Sequence, residues 1–300
     1  MFFVFSNFVC SFAALGITCS KNPASPEEEI VVNPYLGQSS PGLAPELFAP
    51  DIFEPTDWGI TFSPNGGECF FARKVNNIYT IFITKALDEE WSTPEIASFS
   101  GSYVNMEPLM TPGGRKLYFK TTRPLPGASP SGFHQWYSEK NDSGWSEPVP
   151  MEYPFNDRYI EHPTVSDNGN IYFARWNDIY VSRIINGEYH EPGIVGSFIN
   201  NMPNCSHPFI APGESYLIFS AKPGGNSDLF ISFRNEEGNW TRPLNLGDNF
   251  NTSDNETMPF VSRDGKYLFF TRTGGSNGGI HWVDAQIIKD LEPDGMGYKY

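Results

Sequence analysis

Five times along the chain a short apolar run meets a glycine-containing turn and returns as an alternating apolar segment. SPNGGECFF (63–71), TPGGRKLYF (111–119), SDNGNIYF (166–173), APGESYLIF (211–219) and SRDGKYLFF (262–270) fall into register. The phenylalanines that close them, Phe71, Phe119, Phe173, Phe219 and Phe270, recur about every 50 residues, a period typical of propeller blades and solenoid repeats. Apolar run, turn and alternating return are the signature of a β-hairpin. A third strand follows each hairpin: NNIYTIF (76–82), FHQWYS (133–138), NDIYVS (177–182), SDLFIS (227–232) and GGIHWV (278–283). In four units an aromatic then stands three residues before a proline that opens a fourth strand: Trp91 and Pro94, Trp145 and Pro148, Tyr189 and Pro192, Trp240 and Pro243.

The fifth unit lacks that last segment. It lies instead at the other end of the chain, where APELFAPDIF (44–53) matches TPEIASFS (93–100) and Pro45 stands where Pro94 stands. An N-terminal strand completing the last unit closes a ring, and closure removes exposed sheet edges. The pattern therefore predicts an all-β, five-bladed β-propeller of four-stranded antiparallel blades, forming a single domain over residues 44–300. After Trp282, DAQIIKDLEP reads as one short helix capped by Asp284 and stopped before Pro293.

The turn, the L-Y-F and D-I-Y segments and the W-S-x-P motif together resemble the WD-like β-propeller repeats of the TolB type over roughly residues 44 to 283. That family includes bacterial envelope proteins with six blades beside a separate domain, and similar propellers occur in prolyl-oligopeptidase-like enzymes. The resemblance implies the fold and an envelope setting. It does not imply peptidase activity, because five blades leave no room for a catalytic α/β domain.

Charge narrows the partners. A formal net charge of −15 with no Lys/Arg run opposes binding to a phosphate backbone, so nucleic acid is excluded as a partner. Residues 1–18 are uncharged and mostly apolar, as in a secretory leader, and too short to span a bilayer comfortably. Leu15-Gly16-Ile17-Thr18-Cys19 resembles a loose lipobox with Cys19 as the lipidated residue. Residues 19–43 then form a polar tether. The expected protein is a monomeric lipoprotein of the cell envelope, periplasmic or surface-exposed, touching the membrane only through its lipid. Cleaved, soluble export is the alternative. Cys69 and Cys205 are expected to be unpaired.

In a propeller the start of each innermost strand and the end of the second share one face. The starts carry Asp57, Glu107, Glu161 with His162, His207 and Glu256; the ends carry Arg73, Arg123, Arg175, Lys222 and Arg272. Asp57 is expected opposite Arg73, Glu161 opposite Arg175, and Glu256 opposite Arg272. Such pairs either neutralise one another or form a polar cup, in which arginine grips a carboxylate or sugar hydroxyls. The cup would suit a protein, peptide or glycan ligand. No close-spaced histidine pair points to a metal, and no cofactor is called for. The competing reading is a carbohydrate-active enzyme, a glycosidase or lyase, using carboxylates at the channel mouth. Trp58 and Trp176 are the tryptophans placed to stack a ligand there.

Overall fold

The computed structural model describes residues 34–87, 90–129, 132–275 and 277–293; the leader, Cys19 and the beginning of the tether lie outside them. Within each repeat the alternating segments pair as antiparallel neighbours. Blade I comprises Trp58–Phe62, Glu68–Val75, Ile78–Lys85 and Glu95–Ile96. Blade II comprises Asn105–Met110, Lys116–Thr121, His134–Asn141 and Val149–Pro150. Blade III comprises Glu161–Val165, Ile171–Arg175, Asp178–Ser182 and Gly193–Ile194. Blade IV comprises Ser206–Ile210, Tyr216–Ala221, Asp228–Phe233 and Leu244–Asn245. The protein is the five-bladed, all-β propeller that the repeat predicts.

Blade V closes the ring. Its first three strands, Asn255–Val261, Tyr267–Thr273 and Gly279–Asp284, are completed by Glu46–Leu47, with Glu46 opposite Trp282 and Leu47 opposite His281. The next residue, Phe48, donates its N–H to the Ile280 carbonyl at 2.9 Å and buries its ring among Phe53, Phe62, Phe269 and Trp282. The chain joins the core even before Pro45. Tyr35 and Leu36 are buried, and the Tyr35 ring meets Phe62 edge-on at 5.1 Å.

The turns and the recurring aromatics follow local chemistry. Ser63, Ser166 and Ser262 each hydrogen-bond the side chain two residues on, Asn65, Asn168 and Asp264, which fixes the hairpin reversal. The aromatic before each fourth strand is packing rather than platform. Trp145 of blade II sits edge-on to Phe70 of blade I at 5.4 Å, and Tyr189 meets Phe155 at 4.9 Å. The C-terminal helix is Gln286–Asp290, and Asp284 accepts the Gln286 N–H at 2.8 Å. Cys69 and Cys205 are buried free thiols. Among the described residues no helix is long and apolar enough to cross a membrane.

Candidate functional site

Every innermost strand breaks register once, between Trp58 and Ile60, Met106 and Leu109, Glu161 and Thr164, Ser206 and Phe209, and Thr257 and Phe260. The residue in each break adopts left-handed backbone: Gly59 (φ 61°), Glu107 (55°), His162 (46°), His207 (45°) and Met258 (56°). Glycine reaches this region freely, whereas the other four carry strain on the order of 1–3 kcal/mol each. A bulge re-aims its side chain. Five bulges at one level of a ring bring those side chains together across blade boundaries. The His162 and His207 rings lie 5.9 Å apart, and Trp58 stands 6.2 Å from His207.

The cluster that results is polar and nearly dry. Glu107 and His162 are 2% and 3% exposed. Lys120, also buried, places its ammonium on Glu107 Oε1 and lies 4.0 Å from Glu161 Oε1, so one cation joins carboxylates of adjacent blades. Tyr159 donates its hydroxyl to Glu161 at 2.5 Å, and His207 Nδ1 meets the Ser206 hydroxyl at 3.1 Å. Among the described residues, Glu107 Oε2, both His162 ring nitrogens and the Trp58 indole N–H have no hydrogen-bond partner. Buried polar atoms are usually satisfied, and these four are grouped around one cluster, whereas the other unsatisfied buried atoms among the described residues are spread over the blades.

The protonation states follow from the surroundings. Burial pushes the His162 imidazolium down to about 3, with His207 adding to the effect, and burial lowers His207 as well. Both rings are neutral at ordinary pH, each offering one donor and one acceptor. Burial alone would raise the Glu107 carboxyl. Lys120, through its charge and its hydrogen bond, overrides it and holds Glu107 below the usual carboxylate range.

Of the expected acid and arginine pairs, two form. Arg73 grips Asp57 through Nε–Oδ1 (2.9 Å) and Nη2–Oδ2 (2.5 Å), and Arg272 Nε donates to Glu256 Oε1 at 2.8 Å. The third does not. Glu161 registers opposite Ala174, which leaves Ile160 at the position of Asp57 and turns Arg175 toward Asp157 Oδ1 at 3.3 Å. Glu161 is thus the counterpart of Trp58, not of Asp57. The arginines share another task. Arg73, Arg123, Arg175 and Arg272 each donate to a backbone carbonyl of the loop entering their blade, those of Ile52, Phe99, Pro154 and Phe250. In blade IV Ala221 stands at the register position of Arg73, and Lys222, one residue on, donates its backbone N–H to the Pro203 carbonyl at 2.8 Å.

The structure therefore gathers Glu107, Glu161, His162 and His207, while Asp57, Arg73, Glu256 and Arg272 are engaged within their own blades. Lys120 and Tyr159 belong to the cluster and were not singled out from the sequence. Lys120 had a visible signal: the register puts Ala72, Ala174, Ser220 and Thr271 at its position in the other blades, so a charge replaces a small residue there.

Below the cluster the axis turns apolar. Phe209 and Phe260 meet at 5.9 Å and line a small pocket of about 50 Å³ to which every blade contributes, through Phe62, Met110, Val165, Ile210 and Val261. The two ends of the channel thus have opposite chemistry. Among the described residues, no three His, Cys, Asp or Glu side chains are grouped to hold a metal ion.

No family model matches the chain, and no curated protein does. Solved structures do share the fold. A putative TolB from Agrobacterium tumefaciens aligns at 13% identity and a TM-score of 0.50, over 76% of each chain. TolB from Acinetobacter baumannii aligns at 13% identity and a TM-score of 0.52, over 76% of this chain and 57% of that one. An endo-arabinase from Bacteroides thetaiotaomicron aligns over 85% of this chain at 17% identity, with a TM-score of 0.45 too loose to carry an argument. The TolB-type resemblance read from the repeats holds at the level of fold.

Proposed function

We propose that the protein is an exported, membrane-tethered propeller that serves as a binding or scaffold module and takes its ligand at the polar end of the axial channel. One observation carries this reading. Glu107 and His162, on strained backbone in adjacent blades, hold buried polar atoms that no described residue satisfies. A chain selected only for stability would fill such positions with glycine or apolar residues. The apolar leader and the Cys19 motif support export and tethering.

The test is capture from an envelope extract by the wild-type protein and by Glu107→Gln and His162→Gln variants with unchanged thermal unfolding. A component retained by the wild type and lost from both variants is the expected result. Equal retention by all three would overturn the reading.

The glycosidase alternative has one favourable observation, the two carboxylates Glu107 and Glu161 joined by Lys120. It asks one acid to be protonated near neutral pH, and Lys120 opposes that at Glu107. Release of reducing sugar from a polysaccharide panel, abolished in Glu107→Gln, would favour it over the binding module.

A further inference from the structure

Trp176 is doubly out of place. It is 63% exposed, and its φ is 52° in the tight turn that joins the second and third strands of blade III. Blade I makes the same turn with Asn76 and Asn77, at φ 49° and 65°; asparagine tolerates this region, and a bulky aromatic does so rarely. Stability explains neither the exposure nor the backbone. The ring is held instead by cations, with the Arg158 guanidinium 5.3 Å and that of Arg175 5.6 Å from its centre.

From Trp176 the contacts lead without a gap into the channel. Arg158 adjoins Tyr159, which is 47% exposed, and Tyr159 reaches Glu161 by its hydroxyl and Lys120 by its ring, 5.9 Å from the ammonium. Lys120 then meets Glu107. The result is a track of exposed, cation-braced aromatic rings leading to the buried Glu107 and His162 atoms that no described residue satisfies.

Resting on the binding role proposed above, we infer that the ligand is an oligosaccharide, with one end at the Glu107, His162 and Trp58 atoms and further sugar units stacked on Tyr159 and Trp176. Each sugar hydroxyl both donates and accepts. That matches neutral imidazole nitrogens, an indole N–H and a carboxylate oxygen side by side. The C–H face of a sugar ring suits an exposed aromatic face. A peptide added as an extra strand finds no comparable support, because the outermost strands Glu95–Ile96, Val149–Pro150, Gly193–Ile194 and Leu244–Asn245 are two residues long.

The test titrates the full-length protein with neutral oligosaccharides of graded length and with oligosaccharides hydrolysed from envelope polysaccharide, read by tryptophan fluorescence and calorimetry. Binding is expected, and Trp176→Asn is expected to weaken the longer ligands about tenfold while leaving the shortest unaffected and the melting temperature unchanged or higher. Trp176→Phe restores most of the affinity. Two results overturn the inference. If peptides bind in a Glu107- and His162-dependent way and no saccharide does, the ligand class is wrong and the mouth survives as a site. If neither class binds there, both readings fall.

Discussion

Ring closure by the N-terminal strand can be tested within two adjacent residues. Phe48→Ala removes a ring that is 1% exposed and meets Trp282 at 4.9 Å and Phe269 at 5.1 Å. Truncating a buried phenylalanine costs about 3–5 kcal/mol, through lost transfer energy and the cavity left behind. Against a domain stability of about 5–15 kcal/mol, that removes a large share of the total. Leu47→Ala is the control: Leu47 ends the closing strand just before Phe48 but is 43% exposed, and its truncation should cost under about 1 kcal/mol. Urea unfolding followed by tryptophan fluorescence gives both values, with Trp282 beside the lesion as reporter. A Phe48→Ala cost below about 1 kcal/mol, or equal to that of Leu47→Ala, would refute closure by this strand.

Three further outcomes are expected. His162 and His281 have folded values of about 3 and 4 against an ordinary 6.5, so between those limits the unfolded chain binds protons that the folded chain does not. Their contribution to stability is complete above pH 6.5 and falls as the pH drops, by about 2 kcal/mol per histidine at pH 5. Denaturation midpoints that are equal at pH 7 and pH 5 would contradict this. Arg272→Ala strands the fully buried Glu256 carboxylate and should cost about 3–5 kcal/mol, measured by the same unfolding assay, and Glu256→Gln made in addition should recover part of it. Gly59→Ala combines a φ of 61° with a Cβ only 2.7 Å from Met258 Cε. It should lower stability by about 1 kcal/mol or more, with Met258→Ala relieving only the steric part.

The fold was legible because its repeat is local. Turn residues, alternation and the proline before each fourth strand all sit within a few positions of one another, and the missing strand of blade V showed as a defect in the period. The polar cluster was only half legible. Glu107, Glu161, His162 and His207 could be read from strand starts, but the bulges could not be, because only one to three strand residues lie outside each break, too few to display the shifted alternation. That break is why Glu161 was paired with Arg175 and proved to stand opposite Ala174. Phe155, Ile199 and Phe250 point to a further device hidden in plain sequence. Each is followed by an asparagine, Asn156, Asn200 or Asn251, whose side chain bonds both the N–H and the carbonyl of one residue of a third strand: Gln135, Ile179 or Leu229. It emerges only when strand pairing places those residues opposite each other.

The channel mouth as a ligand site is tested most directly by nitrogen NMR of histidine side chains in the full-length protein, before and after adding the component captured from the envelope extract. His162 and His207 should report neutral rings in the free protein and shift on binding, while His190, on the outer side of blade III, stays still. A captured component that binds without moving His162 or His207 would place the site elsewhere on the propeller.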